Sequence, residues 1–325
     1  MTRRWLVLLS GMAIALPAFA QASKARAGAS KTWTAPRTSD GHPDLQGIWS
    51  NATVTPLERP ADLAGKAVLT DEEAAEFAQR TVERNNTDRR PGRGTDADVG
   101  LAYNDFWYDR GTKAIKTRRT SLIIDPPDGR LPALTPDAQS RAAARTEHRR
   151  LHPADGPEDR SLAERCLNWA TAGPPMLPSF YNNNYQIIQA PDTVVIFNEM
   201  IHDARVIPMD GRPHLPGTVR QWLGDSRGHW EGDTLVIETT NFTDKTAFRG
   251  SSPNMRLVEK FRRVDADTLL YEFTVDDPAA FTKPWTVQVP SVRTDGPIFE
   301  YACHEGNYAM TGMLSSERAE EKAAK

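Results

Sequence analysis

Arg256–Asp276 reads RLVEKFRRVDADTLLYEFTVD, and this stretch decides the fold. In its second half Leu269, Tyr271, Phe273 and Val275 alternate with Leu270, Glu272, Thr274 and Asp276. Successive side chains of a strand point to opposite faces, so this pattern makes one apolar and one mostly polar face. The first half is rich in Val, Leu and Phe, and Asp265-Ala266-Asp267 between the halves has the length and residue types of a hairpin turn. Further along, Trp285, Val287 and Val289 alternate with Thr286 and Gln288, and Phe299, Tyr301 and Cys303 alternate with Glu300, Ala302 and His304. Upstream, TLVIETTNF (234–242) and YQIIQAPDTVVIFNEM (185–200) supply three more strands, the latter turning at Pro191-Asp192. Asp–Gly or Gly–Asp pairs at 40–41, 128–129, 210–211, 232–233 and 295–296 punctuate the chain as turns. No βαβ rhythm and no glycine-rich phosphate loop is present, which excludes a parallel nucleotide-binding sheet. The expected class is mainly β, an antiparallel meander closing into a barrel or sandwich.

The first half of the chain differs. Thr70 followed by Asp71-Glu72-Glu73 predicts a capped helix reaching about residue 83, and Thr135-Pro136-Asp137 predicts a second reaching about residue 149. A short helix is expected near Cys166. Gly173-Pro174-Pro175 and Pro178 predict an extended, rigid loop. These segments read as decorations wrapping the sheet. The expected organisation is a signal peptide (1–20), a flexible tether (21–40), a single β-rich domain (41–315) and a charged tail (316–325).

Arg3 and Arg4 precede an apolar run from Trp5 to Leu16, and Ala18-Phe19-Ala20 fits a small-x-small cleavage site. The run is shorter than the roughly 20 residues that span a bilayer, so export rather than anchoring is expected. Thr2-Arg3-Arg4-Trp5-Leu6 also resembles a twin-arginine signal, and the export route stays open. A periplasmic or secreted protein without membrane insertion of the mature chain follows. The formal net charge of −3 gives no bulk attraction to nucleic acid or anionic lipid. The local clusters Arg89/Arg90/Arg93 and Arg118/Arg119 read as solvated loops. The two cysteines, Cys166 and Cys303, are expected to pair in an oxidising compartment. The competing reading is a reactive Cys303 thiol beside His304.

Asp44-Leu45-Gln46-Gly47-Ile48-Trp49 resembles the Gly-x-Trp opening of lipocalin-like barrels, in which the Trp closes one end. More of the chain is similar to a broad group of exported bacterial proteins of unknown function. The matching segments are PDLQGIW (43–49), RTSLIIDPPDGR (119–130), GHWEGDTLVI (228–237), VDDPAAFTKPW (275–285) and EYACHEGN (300–307). That resemblance implies export and fold, and no activity.

Candidate chemistry gathers at Glu199, His202, Asp203 and Arg205: Glu and His for acid–base work, Arg as an anion clamp. On an ideal strand Glu199, Asp203 and Arg205 share a face, and a bulge is needed to bring His202 round. Asn182 and Asn184, with Tyr185, offer paired donors and acceptors to a ligand, or form a turn. Trp107, Trp222 and His304 are further ligand-binding candidates, while Trp49 and Trp230 read as barrel plugs. Asp276-Asp277 reads as a turn. His202, His214 and His304 form a weaker metal alternative, since no compact metal motif is present. The expected function is a small-molecule site inside the barrel for an apolar or aromatic compound, with no cofactor. Acid–base catalysis there (lyase, isomerase or hydrolase) is one form of that function. The alternatives are a non-catalytic envelope binding or interaction protein, using the 173–181 loop, and a metal-dependent hydrolase. Oligomeric state is open.

Overall fold

A computed structural model describes residues 33–89, 95, 104–246 and 248–323. The expected leader, the first part of the tether, and Arg90 and Arg93 lie outside the described residues. The strands are β1 (Gly47–Ser50), β2 (Ile123–Asp125), β3 (Asn184–Ala190), β4 (Thr193–Asn198), β5 (Ala204–Pro208), β6 (Asp225–Glu231), β7 (Thr234–Thr240), β8 (Arg256–Arg263), β9 (Thr268–Asp276) and β10 (Trp285–Thr294). The helices are α1 (Asp71–Asn85), α2 (Pro136–Leu151) and α3 (Ala309–Ala323).

All ten strands belong to one antiparallel sheet, in the order β5-β4-β3-β1-β10-β9-β8-β7-β6. The long β10 shares one edge between two partners: β1 takes Val292–Thr294 and β2 takes Thr286 and Val287. Nine strands in unbroken antiparallel succession leave the first and last pointing the same way. The sheet curls until these two edges, β5 and β6, lie side by side. Being parallel, they cannot continue the antiparallel ladder. Side chains span the seam instead. Arg205 Nη2 donates to Ser226 Oγ at 3.3 Å, and a Cβ placed on Gly228 would lie 3.1 Å from Ile207 Cγ2. The expected closing into a lipocalin-like barrel or sandwich is thus corrected to one curled sheet with an open seam.

The alternation read from the sequence sets the register. Phe261 faces Tyr271 across β8–β9, and Trp49 faces Tyr185 across β1–β3. All four side chains are buried, and full burial of a large apolar side chain contributes roughly 1.5–3 kcal/mol. Trp49 Nε1 donates to Leu45 O at 2.9 Å, which satisfies its polar atom in the core. Trp230 is half-buried, packs against the core and stacks on His42, with centroids 4.8 Å apart. The Gly173–Pro178 loop enters the interior. Met176 is buried, and its N–H donates to the Tyr271 hydroxyl at 3.0 Å. The interior in which a small-molecule site was expected is therefore occupied by buried side chains and by this loop.

Both predicted helices form. Thr70 and Glu73 make a reciprocal capping box on α1, and Thr135 caps α2 with Pro136 in its first turn. Near Cys166 the chain makes turns, and the short helix lies earlier, as a single 3-10 turn at Pro157–Asp159. The segment 299–303 is not a strand. Two of its backbone groups bond to side chains, Phe299 N–H to Glu199 and the Tyr301 carbonyl to His202. Residues 316–323 continue α3 instead of forming a tail. Asp277 does turn the chain, and its buried carboxylate accepts from the Ser252 hydroxyl at 2.9 Å. Cys166 and Cys303 are disulfide-bonded, with Cα atoms 5.8 Å apart. Among the described residues no helix is long and apolar enough to cross a membrane.

Candidate functional site

One end of the curled sheet carries tight turns at 191–192, 232–233 and 264–267. The other carries the longer segments that follow β1, precede β3, and join β4–β5, β7–β8 and β9–β10. Binding groups concentrate on such segments when a rigid scaffold holds them. Every sequence candidate near residues 182–202, together with Trp222, falls at this loop-bearing end.

Glu199 is buried there. Its Oε2 accepts from Asn184 Nδ2 at 3.0 Å and its Oε1 from Phe299 N–H at 2.8 Å. Both oxygens serve to fasten the 297–303 segment to β3. His202 lies in a tight turn with Ile201 and His202 at φ 64° and 47°. His202 is exposed, and Nδ1 sits 2.8 Å from the Tyr301 carbonyl. A carbonyl only accepts, so Nδ1 carries the hydrogen. Burial pushes the Asp203 carboxyl up, with His202 acting against it.

Arg205 does not join this group. It points into the curled sheet and forms a two-pronged pair with Glu259, at 2.6 and 3.1 Å, with both side chains buried. Glu259 also accepts from the Tyr271 hydroxyl at 2.7 Å. The network is a core polar chain running from the Met176 N–H to Arg205, not an anion clamp at a site. The expectation that Glu199, His202 and Arg205 act together is corrected accordingly.

The other candidates separate. Asn182 adopts φ 53°, the turn reading. Tyr185 is core, and burial raises its phenol well above the ordinary range. Trp107 is exposed and packs edge-on against Phe106. His214 Nδ1 lies 3.0 Å from Asp225 Oδ2, and its Nε2 lies 3.5 Å from Glu238 Oε1. His304 is exposed. The three histidines thus do not converge, which corrects the metal alternative built on them. Among the described residues the one cluster compact enough for a metal ion is Asp155, Glu317 and Glu321. It lies on the surface, and Glu321 is already paired with Arg318 at 2.8 Å.

Trp222 stands in a different constellation. It lines a cleft of about 200 Å³ with Trp169, Phe242, Phe248, Asn168 and Lys245. The Lys245 ammonium lies 5.9 Å from the Trp222 ring centroid, within cation–π range. The Asn168 side-chain oxygen is buried with no hydrogen-bond partner. An unpartnered buried acceptor is costly and marks a place where a donor belongs. Trp169 belongs to the segment that plunges into the sheet, Trp222 precedes β6, and Phe242 to Phe248 join β7 to β8. No local spacing foretells their meeting. The only signal in the chain was the excess of aromatics in loop segments.

No family model matches the chain, and neither does any curated protein or solved structure.

Proposed function

We propose that this is an exported protein that binds a small apolar or aromatic compound at the loop-bearing end of its curled sheet. The aromatic cleft around Trp169 and Trp222 is the observation that carries the reading. Small-molecule sites are concave, mostly apolar and supplied with a few polar groups that orient the ligand. Here Trp169, Trp222 and Phe248 give the apolar walls, and the unpartnered Asn168 oxygen and Lys245 give the polar contacts. Binding has more support than acid–base turnover, because each Glu199 oxygen already accepts a hydrogen bond that holds the chain. The Cys166–Cys303 bond supports the export half of the proposal, since such bonds persist in oxidising compartments. Within the 173–181 loop Met176 and Leu177 are buried in the core, while Phe180 is exposed.

The test is a titration of the purified protein with a neutral aromatic probe, indole, followed by tryptophan fluorescence or calorimetry. Saturable one-to-one binding is expected, weakened at least tenfold by Trp222→Ala, since a buried aromatic anchor typically carries about 2 kcal/mol or more. Unchanged affinity in a folded Trp222→Ala protein refutes the reading.

A further inference from the structure

We propose that a second cleft, on the far side of Trp169, is a binding site for organic anions with an apolar body. It encloses about 530 Å³ between the segment after β1, the end of α1 and the 169–180 segment. Its floor is apolar, made by Leu57, Leu122, Leu177 and the Trp169 ring. Three arginines line it, Arg84, Arg110 and Arg249, and no Asp or Glu does so among the described residues. Cations lining one concavity without a lining carboxylate give it a positive potential that favours an anion.

The arginines are positioned by different parts of the chain. Arg84 sits in the last turn of α1. Arg110 is held from behind: its guanidinium lies over the Tyr108 ring at 3.7 Å, Nη1 donates to the Asn85 carbonyl, and Asp105 approaches at 3.7 Å. Arg249 adopts φ 53°, a left-handed conformation that a long side chain seldom takes. Neither Arg84 nor Arg249 forms an ion pair with a described residue, so both forks are available. The Thr171 hydroxyl, also on the wall, is buried without a partner. Guanidinium groups bind carboxylate, sulfonate and phosphate oxygens in pairs, while the leucines and Trp169 accept a ring or an alkyl body. This site is independent of the aromatic cleft. The two share Trp169 as a common wall and no charged residue.

The experiment compares two probes of nearly equal shape, the anionic 8-anilinonaphthalene-1-sulfonate and the neutral N-phenyl-1-naphthylamine. Both are titrated into the folded protein, with thermal unfolding as a check on each variant. The sulfonate is expected to bind one-to-one at least tenfold more tightly than the amine, and to weaken as salt screens the arginines. Arg84→Gln/Arg249→Gln should lower sulfonate affinity at least tenfold and leave that of the amine unchanged, and Trp222→Ala should leave that of the sulfonate unchanged. Equal affinity of the two probes overturns the proposal, as does full sulfonate binding by the folded double variant. Sulfonate binding lost in Trp222→Ala but kept in the double variant also overturns it, while leaving the aromatic-cleft reading intact.

Discussion

Arg205 occupies the position opposite Ile196 on β5, and the strand's pleat sends it inward, where its charge needs a partner. Glu259, facing Phe273 from β8, supplies one, and the Tyr271 hydroxyl takes up another of the carboxylate's lone pairs. Burial and the Glu259 charge both push the Tyr271 phenol well above its ordinary range, so it stays protonated and donating. Such a pair adds little net stability compared with a hydrocarbon pair, but removing one member strands a buried charge. Arg205→Met is therefore expected to cost about 3–5 kcal/mol, and Arg205→Met/Glu259→Leu to recover most of that loss. Urea unfolding of the two variants checks this. A single variant that loses less than about 1 kcal/mol would show that the carboxylate is not desolvated as the geometry requires.

At the scale of elements, β6 depends on how its first residue is held. The Asp225 carboxylate accepts from the Leu215 N–H at 2.8 Å, faces His214 at 3.0 Å and pairs with Arg227 at 2.6 Å, fastening the β5–β6 connection to the strand. Burial alone would raise this carboxyl, but the Leu215 hydrogen bond, His214 and Arg227 together hold it below the ordinary carboxylate range. A carboxyl depressed in the folded state stabilises the fold above its unfolded pKa of about 3.9, and that contribution disappears as pH falls through the folded value. Asp225→Asn should thus be less stable than the parent at pH 7, with the gap closing below about pH 4. Unfolding midpoints measured from pH 7 to pH 2 decide the matter. A gap that stays constant across that range removes the charge from the explanation.

For the whole molecule, the decisive constraint is the way the segments of the loop-bearing end are tied together. The disulfide joins residues 137 apart in sequence and binds the segment leading into the plugging loop to the one that Glu199 anchors. In the chain-entropy model a loop of that size stabilises the fold by about 4–5 kcal/mol. Cys166→Ser/Cys303→Ser should lose an amount of that order in urea unfolding, and backbone amides of 297–303 should exchange faster with solvent. Coincident unfolding curves for the double variant and the parent would contradict a stabilising role. The same architecture bears on where ligand space lies. The 173–178 loop enters the curl and Met176 reaches Tyr271, so ligand space is displaced to clefts between the loops.

The residue pattern alone determined the β class, the hairpin from Arg256 to Asp276, the β3–β4 hairpin, both capped helices and the cysteine pairing. Each of these rests on interactions within a few residues or on elimination between two cysteines. The open seam depended on the count of strands, including β5 and β6, whose short mixed sequences carry weak alternation. The fate of Arg205 depended on a partner 54 positions away, and the clefts on segments brought together from across the chain. Periodicity reports which face a side chain takes. What that face meets is decided by long-range packing, which leaves no periodic mark in the sequence.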